Sequence, residues 1–277
     1  MADIGASEFD DATEMIGSVD VRGHGHFTGE LLDGWDIGGN ANGGYLLALA
    51  VRAMTQASGR QHPITVTAHF LAPGRPGPVV ATTELVKSGK RFATLTGSLV
   101  SGDGREIIRV LGTFGDVRAG AGEREFVHGS PPEMQPFDDC VRRTANSSAA
   151  PFGLGDRLNT RIDPVCVPNP EGPRSGVGEM KGWFAFGDGR PSDPLAVMLA
   201  VDAFAPAVFH LELPAGWVPT LELTVHLRDL PVPGPLMGRF TTQFVTNGLF
   251  EEDGELWDSA GRLVALSRQM GLVARPT

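Results

Sequence analysis

The chain has 277 residues, 41% hydrophobic and 20% charged, which is the profile of a folded protein and enough length for about two domains. Its 23 basic and 33 acidic residues give a net charge of −10, which disfavours nucleic acid and anionic membranes as partners and requires a local basic patch for any anionic ligand. Two cysteines, Cys140 and Cys166, are too few for a disulfide framework and read as reduced thiols; the acidic start lacks a secretory pattern and no apolar run of ~18 residues occurs, so a cytoplasmic location is expected.

In chain order, the first strong signal is residues 43–54, GGYLLALAVRAM, a short helix apolar nearly all round with Asn42 placed to cap it. Such a helix is expected to be buried on most sides. Four strand-like segments follow, 63–72, 78–88, 91–101 and 104–114, separated by Pro- or Gly-containing turns, and a strand preceding the helix is expected within 18–36. Residues 117–178, rich in Pro, Gly, Ser and charge, read as a linker holding a strand near 157–164. The same order then returns. A strand at 179–187 precedes a Ser192-Asp193-Pro194 helix start, whose apolar run is expected to reach Phe209 with Pro206 ending or kinking it, and strands are expected at 218–229, 235–247, 249–258 and 261–273.

A constant offset of 157 residues relates the two parts. It pairs His69 with His226, Pro76-Gly77-Pro78 with Pro233-Gly234-Pro235, and Gly104-Arg105 with Gly261-Arg262, without a gap. A lone apolar helix followed by a strand meander is buried economically when the sheet curls around it, which is the hotdog arrangement. The expected class is therefore α+β, a double hotdog with repeats at 18–116 and 157–277 joined by a linker at 117–156.

Between Asn40 and Phe114 the stretches NANGGYLLALA, HPITVTAHFLAPGRPGPV and GKRFATLTGSLVSGDGREI resemble the thioesterase-like superfamily, and the two-copy layout is similar to acyl-CoA thioesterase II. That resemblance implies hydrolysis of acyl-CoA to free acid and CoA, a place in lipid metabolism, no cofactor, and a water held by an Asp, a Ser or Thr, and a Gln. The matching positions are Asp202, Thr220 and Gln269, with Thr224 a second candidate on the same strand.

Asp202 is the only Asp, Glu, Lys or Arg between Asp193 and Glu212, so a buried helix would carry a carboxylate that needs a reason to be there. Gln269 lies in a mostly apolar strand, where an amide needs partners. Asn42, Gly43, Gly44 and Tyr45 open the first helix, where unpaired N–H groups suit an oxyanion; the alternative for Gly43 and Gly44 is close packing of helix and sheet. Lys87, Lys90 and Arg91, near Arg52 and Arg60, form the best basic cluster for CoA phosphates, or else a solvated hairpin tip.

His69 and His226 alternate with apolar neighbours, which places them away from the core face, and His24 and His26 lack further ligands for a metal. No GxSxG elbow, HExxH, P-loop or GxGxxG opening a helix is present. Two rivals stay open: an enoyl-CoA hydratase or dehydratase, which would need a His facing Asp202, and a non-catalytic acyl-CoA-binding protein. A homo-oligomer, as a dimer of double hotdogs, is compatible with either.

Overall fold

The computed structural model describes residues 7–120, 122, 124–145, 152–167, 173–214 and 216–274. A short helix α1 (Glu8–Ala12) leads into strands β1 (Ile16–Val19) and β2 (Gly25–Leu31), a small hairpin of β3 (Asp36–Ile37) and β4 (Asn40–Ala41), the helix α2 (Gly43–Ser58), and strands β5 (His62–Phe70), β6 (Gly77–Ser88), β7 (Ala93–Ser101) and β8 (Glu106–Gly115). The second part has β9 (Val141–Arg142), α3 (Leu154–Arg157), β10 (Arg161–Ile162), β11 (Glu179–Phe184), α4 (Pro194–Ala200), a 3₁₀ turn at Ala207–His210, and strands β12 (Thr220–Leu227), β13 (Leu236–Thr241), β14 (Val245–Thr246), β15 (Leu249–Trp257) and β16 (Leu263–Leu272).

The strands form one sheet whose order runs β1-β2-β6-β7-β8-β5 in the first repeat and continues β12-β16-β15-β13-β11-β10-β9 in the second. Each half is the mirror of the other about the β5–β12 seam. That seam is antiparallel, with Thr67 opposite Thr224, Thr65 opposite His226 and His69 opposite Glu222. The 157-residue offset therefore pairs Thr67 with its own counterpart, and a local twofold axis passes between their hydroxyls, 2.9 Å apart. The double hotdog expected from the repeat is the observed fold.

Helix α2 is capped by Asn42, whose side chain accepts the Tyr45 N–H, and ends at Gly59 in the left-handed region, φ 60°. Its residues Gly44–Val51, Ala53 and Met54 are buried against β2, β5, β6, β7, β8 and α4, as its all-round apolar character requires. Gly97 on β7 lets Met54 approach: a Cβ there would lie 2.7 Å from its sulfur.

The second helix is much shorter than its apolar run suggests. It stops at Ala200, and tight turns follow, with Asp202 N–H donating to Leu199 O and Ala203 N–H to Ala200 O. Pro206 forces its predecessor out of the helical region, so the remaining apolar residues fold as a 3₁₀ turn. Asp202 thus stands just beyond the helix, not within it. Likewise β13 ends at Thr241, because the Glu251 carboxylate takes the N–H groups of Gln243 and Phe244 away from the ladder.

The segment between the repeats packs on the second one. Gln135 receives the Trp183 indole N–H on its carbonyl and donates its own N–H to Asp163, and β9 pairs with β10 at the sheet edge. Cys140 and Cys166 are buried free thiols. Among the described residues no helix is long and apolar enough to cross a membrane.

Candidate active site

The hairpin β3–β4 turns through Gly38 and Gly39, φ 62° and 77°, and delivers Asn42 to the head of α2, where its N–H bonds Trp35 O. The Asn42 side chain does two jobs at once. Its Oδ1 caps α2, and its Nδ2 reaches across to the other repeat, donating at 2.9 Å both to Asp202 O and to Asp202 Oδ2. The Gly44 N–H donates to the same Oδ2 at 2.9 Å. A carboxylate from one repeat therefore occupies the positive end of the other repeat's helix.

Burial pushes the Asp202 carboxyl up to about 6, against hydrogen bonds from Gly44, Asn42 and Gly43 that pull it down. It is still mostly ionised at neutral pH and basic enough to accept a proton. Gly43 and Gly44 are required by this closeness: a Cβ on Gly43 would lie 2.9 Å from Asp202 Oδ2 and 3.0 Å from the Phe70 ring, and one on Gly44 would lie 2.8 Å from Leu199 O and 2.9 Å from Met198 O. Of the positions expected to serve an oxyanion, Asn42, Gly43 and Gly44 direct their donors to Asp202, and the Tyr45 N–H closes the helix cap on Asn42 Oδ1.

Thr220 and Gln269 meet directly, the Thr220 hydroxyl donating to Gln269 Oε1 at 2.8 Å. Strand β16 alternates, with Ala265, Gln269 and Gly271 buried toward the core, and Thr220 pairs opposite Gly271. A register shift between Thr220 and Glu222 turns Thr220 to that inner face. Thr224 lies on the outer face instead, bonded to Glu222 and Thr67, so it does not reach Gln269.

The amide of Gln269 leads to a residue that sequence reasoning missed. Its Nε2 donates to Glu252 Oε1 at 2.6 Å, and Glu252 Oε2 accepts the Ala207 N–H. Glu252 is only 4% exposed, and burial with the nearby charge of Asp202 pushes its carboxyl up to about 7. A signal for it existed: in β15, Phe250, Gly254 and Leu256 alternate inward, and Glu252 falls in phase with them. The run Glu251-Glu252-Asp253 reads as solvated only if that phase is ignored.

The constellation occurs once. At 157 residues before Thr220, Glu252 and Gln269 stand Pro63, Leu95 and Gly112, and Leu95 pairs with Gly112 just as Glu252 pairs with Gln269. The first repeat thus keeps the geometry and lacks the chemistry.

The basic cluster is not brought to this site. Lys87, Lys90 and Arg91 are exposed, and Arg60 bonds Gly89 O of their hairpin, at the C-terminal end of α2. A helix of 16 residues, roughly 24 Å long, separates them from Asn42 and Asp202. Arg52 is committed to Thr13 O and Asp10 O. A cavity of about 280 Å³ lined by Arg60, Lys90, Arg91 and Phe92 lies there, and one of about 370 Å³ opens beside Thr82, Ser98 and Arg109. His69 and His226 are exposed on the outer face, away from Asp202.

Comparison with known proteins bears on this arrangement. A relative from Mycobacterium tuberculosis (strain ATCC 25618 / H37Rv), itself uncharacterized, is 29% identical over 265 residues, covering 89% of this chain and 90% of its own. A crystal structure from Thermobifida fusca YX, provisionally named a thioesterase II, is 31% identical with a TM-score of 0.83 over 98% of this chain and 99% of that one. A hot dog protein of unknown function from Alicyclobacillus acidocaldarius, 22% identical, matches the fold with a TM-score of 0.78 over 97% and 98% of the two chains. The acyl-CoA thioesterase N-terminal domain matches residues 31–115 and the C-terminal domain residues 131–273, so the two repeats are matched in order and the chain belongs to the acyl-CoA thioesterase family.

Proposed function

We propose that the protein hydrolyses acyl-CoA thioesters to free acid and CoA, using a water activated by Asp202 and positioned by Thr220 and Gln269. The observation that carries this reading is the half-buried Asp202 carboxylate, whose orientation is held by three donors at the head of α2 and whose pKa desolvation raises to about 6. The water oxygen forms a bond to the thioester carbonyl carbon as its proton passes to Asp202. Collapse of the tetrahedral intermediate breaks the carbon–sulfur bond, and the departing thiolate takes that proton. No enzyme nucleophile is consumed.

Thr220 and Gln269, already bonded to each other, present a fixed hydroxyl and amide to the same inner face. The hydratase reading is not favoured, because both strand histidines face outward. The test is release of free thiol from a panel of acyl-CoAs, short to long, by the wild type and Asp202→Asn. Turnover that falls about 10²–10⁴-fold in a folded Asp202→Asn protein supports the assignment. No turnover on any thioester, with acyl-CoA still bound, would make this a binding protein.

A further inference from the structure

We propose that Glu252 is a positioning residue that fixes the direction of the Gln269 amide and, through it, makes the Thr220 hydroxyl an acceptor toward the attacking water. The proposal rests on the hydrolytic reading above and adds a control to it.

The hydrogen-bond chain has one direction at a time. With Glu252 ionised, both its oxygens are acceptors, so they take the Ala207 N–H and the Gln269 Nε2–H. Gln269 must then turn its Oε1 toward Thr220, and the Thr220 hydroxyl spends its only proton there. What Thr220 offers the site is a lone pair. A water donating one proton to Asp202 and the other to Thr220 keeps its own lone pair for the carbonyl carbon.

With Glu252 protonated, its carbonyl oxygen keeps the Ala207 N–H and its O–H donates to Gln269, so the amide turns over and Nε2 donates to Thr220. The hydroxyl proton is pushed outward onto one of the water's two lone pairs, which lowers the water's nucleophilicity and leaves its second proton without the Thr220 acceptor. Burial and Asp202 put this switch in the range where it operates, with Glu252 raised to about 7. The charges acting on it are Asp202, from the turn beyond α4, and Glu251 on its own strand, both disfavouring ionisation.

Packing does not require a carboxylate here. The equivalent position of the first repeat is Leu95, fully buried and paired with Gly112 in the same register. An apolar side chain serves the fold there, so a buried Glu that costs free energy to ionise serves something else.

Glu252→Gln separates a structural role from the proposed one. Its Oε1 still accepts the Ala207 N–H, so the cap of the 3₁₀ turn survives, while its amide N–H forces Gln269 into the turned-over state. Glu252→Leu copies the first repeat and provides a second folded variant. Two measurements apply. In protein labelled with ¹⁵N-glutamine, the Gln269 side-chain amide signals should shift with a midpoint near pH 7 in the wild type and show no such step in either variant. Thiol release against pH should lose the step belonging to Glu252 in Glu252→Gln while keeping that of Asp202, with kcat down about tenfold to a hundredfold and KM little changed. A Gln269 titration that persists in Glu252→Gln, or wild-type kcat with both steps intact, overturns the proposal. Absence of thiol release from the wild type would instead sink the hydrolytic reading, and the amide titration would still decide the role of Glu252.

Discussion

Asp202 of the second repeat accepts the Gly44 N–H of the first at 2.9 Å, so the carboxylate and the backbone that holds it belong to different repeats. The site therefore depends on how α4 sits against α2. Gly44→Ala places a Cβ 2.8 Å from Leu199 O, a backbone atom that cannot swing away, and should cost about 1–3 kcal/mol in denaturant unfolding along with a loss of activity. Gly43→Ala meets the Asp202 carboxylate and the Phe70 ring, both of which can move. Its stability loss should be smaller than that of Gly44→Ala while its kcat falls.

Asn42 caps α2 and holds Asp202 with opposite ends of one amide. Asn42→Ala removes both and should cost about 1 kcal/mol of stability together with activity. Asn42→Asp keeps a capping oxygen but sets a second carboxylate against Asp202, and like charges disfavour ionisation. The acidic limb of its pH–rate profile should move to higher pH than the wild type's; an unmoved limb would mean that Asp202 is not the group titrating.

Both inner carboxyls sit above their ordinary values, Asp202 at about 6 and Glu252 at about 7, so the folded protein holds protons that the unfolded chain releases earlier. Stability is thus highest below about pH 4, as far as these groups decide it, and falls as the pH rises toward 7. Asp202→Asn and Glu252→Gln should flatten that fall. Above pH 7 each variant should be more stable than the wild type by on the order of 1–3 kcal/mol in chemical denaturation, even as activity is lost.

The parts of this design that were legible in the sequence are those written as periodicity. The offset of 157 residues showed the repeat, and the all-round apolar residues 43–54 showed a helix needing a wrapped sheet. Asp202, Thr220 and Gln269 stood out through the resemblance. What stayed hidden depends on contacts between distant segments: that Asp202 would neutralise the donors at Asn42–Gly44, that a register shift would turn Thr220 inward, and that a strand acid, Glu252, would join them. Where Lys87, Lys90 and Arg91 would lie relative to Asp202 was not legible either, because charge clustering in a sequence carries no information about which end of a buried helix it will occupy.

Thr220 and Thr224 give a sharp contrast on one strand. Thr224 touches Thr67 and Glu222 on the outer face, whereas Thr220 bonds the buried Gln269 on the inner one. Thr224→Val should leave kcat near the wild-type value, and Thr220→Val should lower it about tenfold or more, since the water loses a fixed partner. The reverse ranking in a thiol-release assay would place the site on the other face of the sheet.

The pseudo-twofold also predicts stoichiometry. In a symmetric pair of hotdogs both helix heads would serve, yet Pro63, Leu95 and Gly112 stand where Thr220, Glu252 and Gln269 would be needed. At Gly112 a Cβ would lie 2.9 Å from the Phe114 ring and 3.0 Å from Val66, so those side chains would have to give way before a Gln fitted. Calorimetric titration with a non-hydrolysable acyl-CoA thioether should therefore saturate at one ligand per chain, and the turnover left in Asp202→Asn should be no more than the level, reduced about 10²–10⁴-fold, expected of the damaged site itself. Saturation at two, with Asp202→Asn turning over at about half the wild-type rate, would show that the first repeat retains a working site built from other residues.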